Sequence, residues 1–311
     1  YRLRVDDLSG QAGAEEEARR IAAAEALAPF DLALGPLFRL RLVRLAAEEH
    51  LLVLVFHHII SDGWSLGVFT RELSALYRSA LQGERLELPE LAVQYPDFAA
   101  WQQASLQGAT LERLVEYWKG QLPPGEDGAQ PVLALPGDHP RPAIQTYRGG
   151  SLELVLPAEL TRRLRKFSQQ QGVTPFMSLL GAFCTLLSRY TGQSDIRLGV
   201  PHAGRTRPEL EGLIGLFVNT LVLRTQVRAE ESFNQLLRQV RENTLAGYAH
   251  AELPFERLVE ALQPERSLSV TPLVQVMFAF ENTPAVRLDL PGLSVQAEGL
   301  GDRIVFTGHR S

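Results

Sequence analysis

Cysteine is almost absent from this chain of 311 residues: Cys184 stands alone, so no disulfide can close within it, and a reducing cytosol fits. Its place in the apolar run 176–187 predicts a small buried thiol. A run of about 18 consecutive apolar residues is also missing, as is a signal peptide, so no membrane partner is expected and the location read from the sequence is cytoplasmic. Basic charge is not in excess. The 31 Lys and Arg stand against 36 Asp and Glu, a net charge of -5, which leaves no footprint for nucleic acid; an acidic protein partner would need a local basic patch. His202 and His250 lack a second ligand at metal-binding spacing, and no metal is expected. There is no initiator methionine either, and the opening at Tyr1 reads as the middle of something already folded, a fragment of a longer polypeptide. What is present is an ordinary globular composition, 45% hydrophobic and 22% charged, at a length that suits two lobes with a core each.

Along the chain, residues 14–28 are rich in Ala, Glu and Arg and predict a helix closed by Pro29. Phe38, Leu40 and Leu42 alternate with Arg39 and Arg41, predicting a half-exposed strand. Residues 51–56 are apolar without interruption, predicting a second strand covered on both faces. A helix with Phe69, Leu73, Leu76 and Tyr77 on one face follows Gly63, and two more are expected at 97–107 and 111–122. The stretch 123–150 is dense in proline and glycine and marks a lobe boundary, dividing the chain into 1–146 and 147–311. Beyond it strands are expected at 152–156, 196–200, 217–227 and 274–280. Helices are expected at 157–172, 175–190 (buried), 232–248 and 254–262. This order predicts an α+β fold rather than a doubly wound sheet.

Chemistry concentrates after the second strand, where His57, His58, Ile59, Ile60, Ser61, Asp62 and Gly63 bring polar groups to an apolar setting. Neighbouring residues on a strand point to opposite faces, so the two histidines cannot address one cavity. A histidine there suits proton transfer, because an imidazole with an ordinary pKa of about 6.5 is neutral and basic near pH 7. Asp62, in a tight turn that Gly63 makes possible, can organise the loop instead; a buried carboxylate needs a cation or several N–H donors.

His57 through Gly63 resembles the HHxxxDG signature of nonribosomal peptide synthetase condensation domains. Four further segments resemble motifs of that family, in the same order. Residues Tyr95 to Trp101 (YPDFAAW) are similar to YxDFAxW, Ile214 to Thr220 (IGLFVNT) to IGxFVNT, and His250 to Glu256 (HAELPFE) to HQDLPFE with Ala251 and Glu252 departing. Residues Arg266 to Leu273 resemble RDxSRxPL, with Ser267 and Val270 in place of its Asp and Arg. The family's two earliest motifs are absent, so the first lobe is expected to be incomplete and the piece alone inactive. The resemblance implies two lobes similar to chloramphenicol acetyltransferase, arranged as a V around a tunnel. His58 would be the catalytic residue, with His57 and Gly63 supporting it. Asp62 would be structural, turned from the tunnel and paired with an arginine of the second lobe, for which Arg205 is the candidate. Trp64 and Asn219 are candidates for the tunnel wall, with packing and a backbone-bonding role as their alternatives. The implied reaction joins an acyl or peptidyl thioester on a donor carrier protein to an aminoacyl acceptor on a second carrier. Both ride on phosphopantetheine arms, an adenylation domain lies adjacent, and no cofactor is bound directly. The run around 61–65 and 213–224 resembles the subtype joining an L-configured donor to an L-acceptor.

Two other readings stand beside this one. Epimerization domains share the HHxxxDG cluster. Gly63-Trp64-Ser65-Leu66-Gly67 satisfies the G-x-S-x-G pattern of a serine hydrolase, which would make Ser65 a nucleophile with His250 as a later base.

Overall fold

A computed structural model describes residues 1–146, 149–265, 267–281, 288–299 and 304–310, from residue 298 onward by backbone alone. Arg266, which opens the fifth motif-like segment, and Asn282 lie outside the described residues. The chain divides into two compact units, one of residues 1–98, 205–217 and 283–311, the other of 99–204 and 218–282.

The first unit is built on a sheet of five strands. Strand β1 (Arg4–Asp7) runs parallel to β2 (Phe38–Arg44), which pairs antiparallel with β3 (Glu49–Phe56). Two further strands, β6 (Leu293–Gly299) and β7 (Ile304–Arg310), complete the order β1-β2-β3-β7-β6, and like β1 the sequence did not signal them. Helix α1 (Ala14–Leu27) opens with Glu15, Glu16 and Glu17, which suit the positive end of the helix dipole, and it stops before Pro29. Ala18, Ile21 and Ala22 of α1 pack with Val43, Leu51 and Val53 of the sheet. The expectation that β3 is covered on both faces needs correction. Its other face, with Leu42 and Leu52, looks onto Tyr77 and Leu290 across a cavity of about 490 Å³. Tyr77 belongs to α2 (Gly63–Gln82), whose buried side is Val68 and Ser74, while Leu76 is 42% exposed.

The second unit holds α4 (Gly108–Gln121), α5 (Ala158–Gln170), α6 (Pro175–Thr191), α7 (Phe233–Ala249) and α8 (Phe255–Leu262) around a hairpin of β4 (Asp195–His202) and β5 (Asn219–Gln226). Its apolar side chains form two clusters. Met177, Leu180, Cys184 and Leu187 of α6 meet Ile196, Leu198, Leu223 and Val240 in one, and the buried Cys184 thiol has its pKa pushed up to about 11 by desolvation. Only one side of α6 is buried, since Leu186 and Tyr190 are exposed. Leu114, Trp118 and Leu122 join Leu221, Val222, Leu253 and Leu258 in the other.

That second cluster explains why the units do not divide at 146/147. Helix α4 packs with β5 and α8, so it joins the second unit. The first division falls inside α3 (Tyr95–Ser105). The Pro- and Gly-rich stretch is not a free linker, for Leu133 is buried and its N–H donates to Gln275 Oε1 at 2.7 Å. Two expected strands do not form. Residues 152–156 have no partner strand, and Leu152 and Leu154 are 95% and 82% exposed. A period of two prepares a segment for pairing, but only a neighbouring ladder makes it a strand. Around 274–280 the pairing shrinks to a single bridge, Gly199 with Met277.

Candidate active site

The turn after β3 positions the two histidines differently. His57 N–H donates to Leu37 O at 2.9 Å, extending the β2–β3 pairing by one bond. His57 then caps a single 3₁₀ turn, His58–Ile60: its Nδ1 accepts the Ile59 N–H at 3.1 Å, so the neutral ring carries its hydrogen on Nε2. The ring meets Phe30 edge-on at 5.7 Å, and Arg39 lies 3.7 Å over that phenyl face. His58 is exposed, and its imidazole makes no hydrogen bond among the described residues. The turn closes where Ser61 N–H donates to His58 O at 3.2 Å.

Asp62 follows and is buried. Its Oδ1 accepts the Ser65 N–H at 2.8 Å, the bond that caps α2, and the Ser65 hydroxyl lies at 2.7 Å. Its Oδ2 accepts the Phe217 N–H at 3.0 Å, and Arg205 Nη2 stands 3.2 Å from Oδ1. Burial works to raise the carboxyl's pKa, but the Ser65 and Phe217 donors and the Arg205 charge outweigh it and hold the group below the usual carboxylate range. Arg205 is equally enclosed, its side chain 1% exposed. It donates to the carbonyls of Leu213, at 2.8 Å, and Leu210, and lies 4.0 Å over the Phe217 ring. The segment 205–217 that carries Arg205 belongs to the same compact unit as Asp62. The ion pair is therefore internal to one unit, not a link to a second lobe as the resemblance implied.

Glycine matters here, though not at Gly63. A Cβ on Gly63 would meet nothing within 4 Å and its backbone is not left-handed, so the turn does not need glycine there. At Gly215 a Cβ would stand 2.2 Å from the Tyr95 ring. Tyr95 covers that backbone, donates its hydroxyl to Leu216 O at 2.9 Å, and packs with Phe98 and Phe217. Two motif-like segments far apart in sequence thus meet in one aromatic cluster.

Trp64 Nε1 donates to Glu211 O at 2.9 Å, so the indole ties α2 to the 205–217 segment while its ring stays 39% exposed. Asn219 lies in the second unit with its amide fully engaged. Nδ2 donates to Ala251 O at 2.9 Å and Leu253 O at 2.7 Å, and Oδ1 accepts from Thr220 and Phe255 N–H at 2.8 and 3.0 Å. An amide with two donors and a carbonyl with two lone pairs has nothing left for a substrate, so the backbone-bonding role holds. His250 stacks on Tyr117 at 3.6 Å, and its Nδ1 lies 2.8 Å from Ala246 O. Ser65 is 0% exposed with its hydroxyl enclosed by Asp62, Arg205 and Gly215, which removes the nucleophile reading, since an elbow serine must present Oγ to substrate.

A model described as the condensation domain matches residues 1–298. The chain belongs to the condensation domain family. One of the linear gramicidin synthase proteins of Brevibacillus parabrevis is 50% identical over 283 residues, 90% of this chain and 5% of that protein. Malpinin synthetase from Mortierella alpina is 45% identical over 293 residues, 94% of this chain and 4% of its own. The chain therefore spans about one-twentieth of the length of such relatives. Among solved structures, the teicoplanin X-domain in complex with OxyB superposes with a TM-score of 0.80 at 27% identity, covering 99% of this chain and 71% of that one. The first condensation domain of the calcium-dependent antibiotic synthetase, with substrate analogue 2a, gives 0.69 at 25% identity, over 100% and 71%. The mixed helix and strand fold is thus the chloramphenicol acetyltransferase-like fold of condensation domains.

Proposed function

We propose that this condensation domain forms an amide bond between a carrier-bound acyl or peptidyl thioester and the α-amine of a carrier-bound aminoacyl group, with His58 at the reacting nitrogen. The observation that carries this reading is the state of His58: an exposed imidazole without a hydrogen-bond partner among the described residues, on a turn held at both ends, within a chain of this family. The incoming nitrogen attacks the thioester carbonyl, the C–N bond forms as the C–S bond breaks, and the sulfur of the donor arm leaves as thiolate. The nitrogen's surplus proton passes to His58 and from there to the thiolate. A general base of this kind contributes about 10²- to 10⁴-fold, while holding the amine in line can contribute roughly 7 to 11 kcal/mol, so positioning is the larger of the two effects open to His58. Asp62 shapes the turn and takes no proton, since its carboxylate is already bonded on both oxygens.

The partners that follow are two carrier domains with phosphopantetheine arms and an adenylation domain, the setting of a cytoplasmic synthetase. The V of two lobes, and the pairing of an L-donor with an L-acceptor, belong to the same proposal. The test is His58→Ala in the complete synthetase. Amide formation from one loaded carrier to the other should fall at least 100-fold while the unfolding temperature stays within about 2 °C, since an exposed ring adds little to stability. The likeness to the X-domain, whose solved structure is a complex with OxyB, supports a second reading as a docking platform. Unchanged transfer in His58→Ala would favour it.

A further inference from the structure

We infer that Ser65 is a positioning residue for His58, an inference that rests on the amide-forming reading above. Among the described residues His58 has no side-chain hydrogen-bond partner to orient its ring, so its placement depends on the two ends of its turn. One end is fixed by the sheet through His57 N–H on Leu37 O. The other is fixed by Asp62 and Ser65, and Ser65 is the tighter knot. Its hydroxyl is enclosed by four polar atoms: Asp62 Oδ1 at 2.7 Å, Gly215 O at 2.9 Å, Arg205 Nη2 at 2.9 Å and Gly215 N at 3.1 Å. A hydroxyl has one hydrogen and two lone pairs. Both lone pairs are taken by the Arg205 and Gly215 N–H donors, and the single hydrogen serves Asp62 or Gly215 O. Removing it leaves the Gly215 N–H without a partner and Arg205, whose Nε is already unpaired among the described residues, with one bond fewer. The start of α2 is then free to shift against 205–217, and a displacement of the order of 1 Å at the reacting group costs about 100-fold in rate.

The experiment is a double-mutant cycle in the complete synthetase, with Ser65→Ala, His58→Ala and both together, read as carrier-to-carrier amide formation. Ser65→Ala should lower kcat about 10- to 100-fold with KM for the acceptor carrier within twofold. In the His58→Ala background the same change should cost less than twofold, because nothing is left to position. Ser65→Cys, which keeps a weak donor and acceptor, should fall between Ala and wild type; if Ser65→Ala does not fold, the cycle is run with Ser65→Cys and must show the same dependence on His58. An equal loss in both backgrounds, or unchanged kcat in Ser65→Ala, overturns the positioning role. A His58→Ala protein as active as wild type instead overturns the amide-forming reading itself.

Discussion

The two units each contain a polar knot that ties distant segments together, and the knots are of different kinds. In the first unit Asp62 and Arg205 bury opposite charges and recruit Ser65 and the Phe217 N–H. In the second, Asn219 holds the 251–255 turn with a neutral amide whose four bonding positions are all filled. The charged knot adjoins the His58 turn; the neutral one supports a turn that leads into α8. A buried charge costs several kcal/mol to desolvate and is stable only with its partner in place, whereas a buried amide is satisfied by backbone alone. The charged knot is therefore the one that depends on a partner from far along the chain, 143 residues away, and the one that responds to pH.

Substitutions in the two knots should separate them. Arg205→Ala leaves the Asp62 carboxylate buried without its cation, and chemical denaturation should show a loss of about 3 to 5 kcal/mol. Equal stability in that variant would mean that water or another cation replaces the guanidinium, and the contrast between the knots would fall. Asn219→Ala should cost less, about 2 to 3 kcal/mol, since it strands backbone groups at the 251–255 turn but no charge. A loss as large as that of Arg205→Ala would place the two on one footing.

Acid sharpens the comparison further, with a smaller effect. The Asp62 pKa is lowered in the folded protein, so its contribution is fully present above the unfolded value near 3.9 and is lost as pH falls through the folded value. The stability gap between wild type and Asp62→Asn should therefore be level from about pH 5 to 8 and narrow below about pH 4. The gap between wild type and Asn219→Ala should show no such narrowing. A gap for Asp62→Asn that stayed constant into acid would show that the carboxylate gains nothing from its charged state.

The difference in kind also marks what could be read from residue order. Asp62 and Arg205 were legible as a pair through the family resemblance, which implies an arginine partner for the aspartate; residue chemistry alone asks only for a cation or several N–H donors around a buried carboxylate. Ser65 was legible only as a rival nucleophile: G-x-S-x-G is a local pattern, and nothing local says that the hydroxyl is enclosed by Gly215 and Arg205, 150 and 140 residues on. The need for glycine at 215 was hidden for the same reason, since the Tyr95 ring that would collide with a Cβ comes from another segment. Asn219 carried two readings, and the count of its bonds decided between them.

Helices followed from periodicity, proline and capping residues, which act within a turn or two of chain, and so their positions came through with small shifts at the ends. The HHxxxDG cluster likewise carried its family resemblance in seven consecutive residues. Strand identity at 152–156 and 274–280, the membership of α4, and the burial of Ser65 did not, because each is decided by whether a distant segment arrives to pair or pack. Local order sets what a residue can do; contact across the chain sets which of those things it does, and only folding supplies that contact.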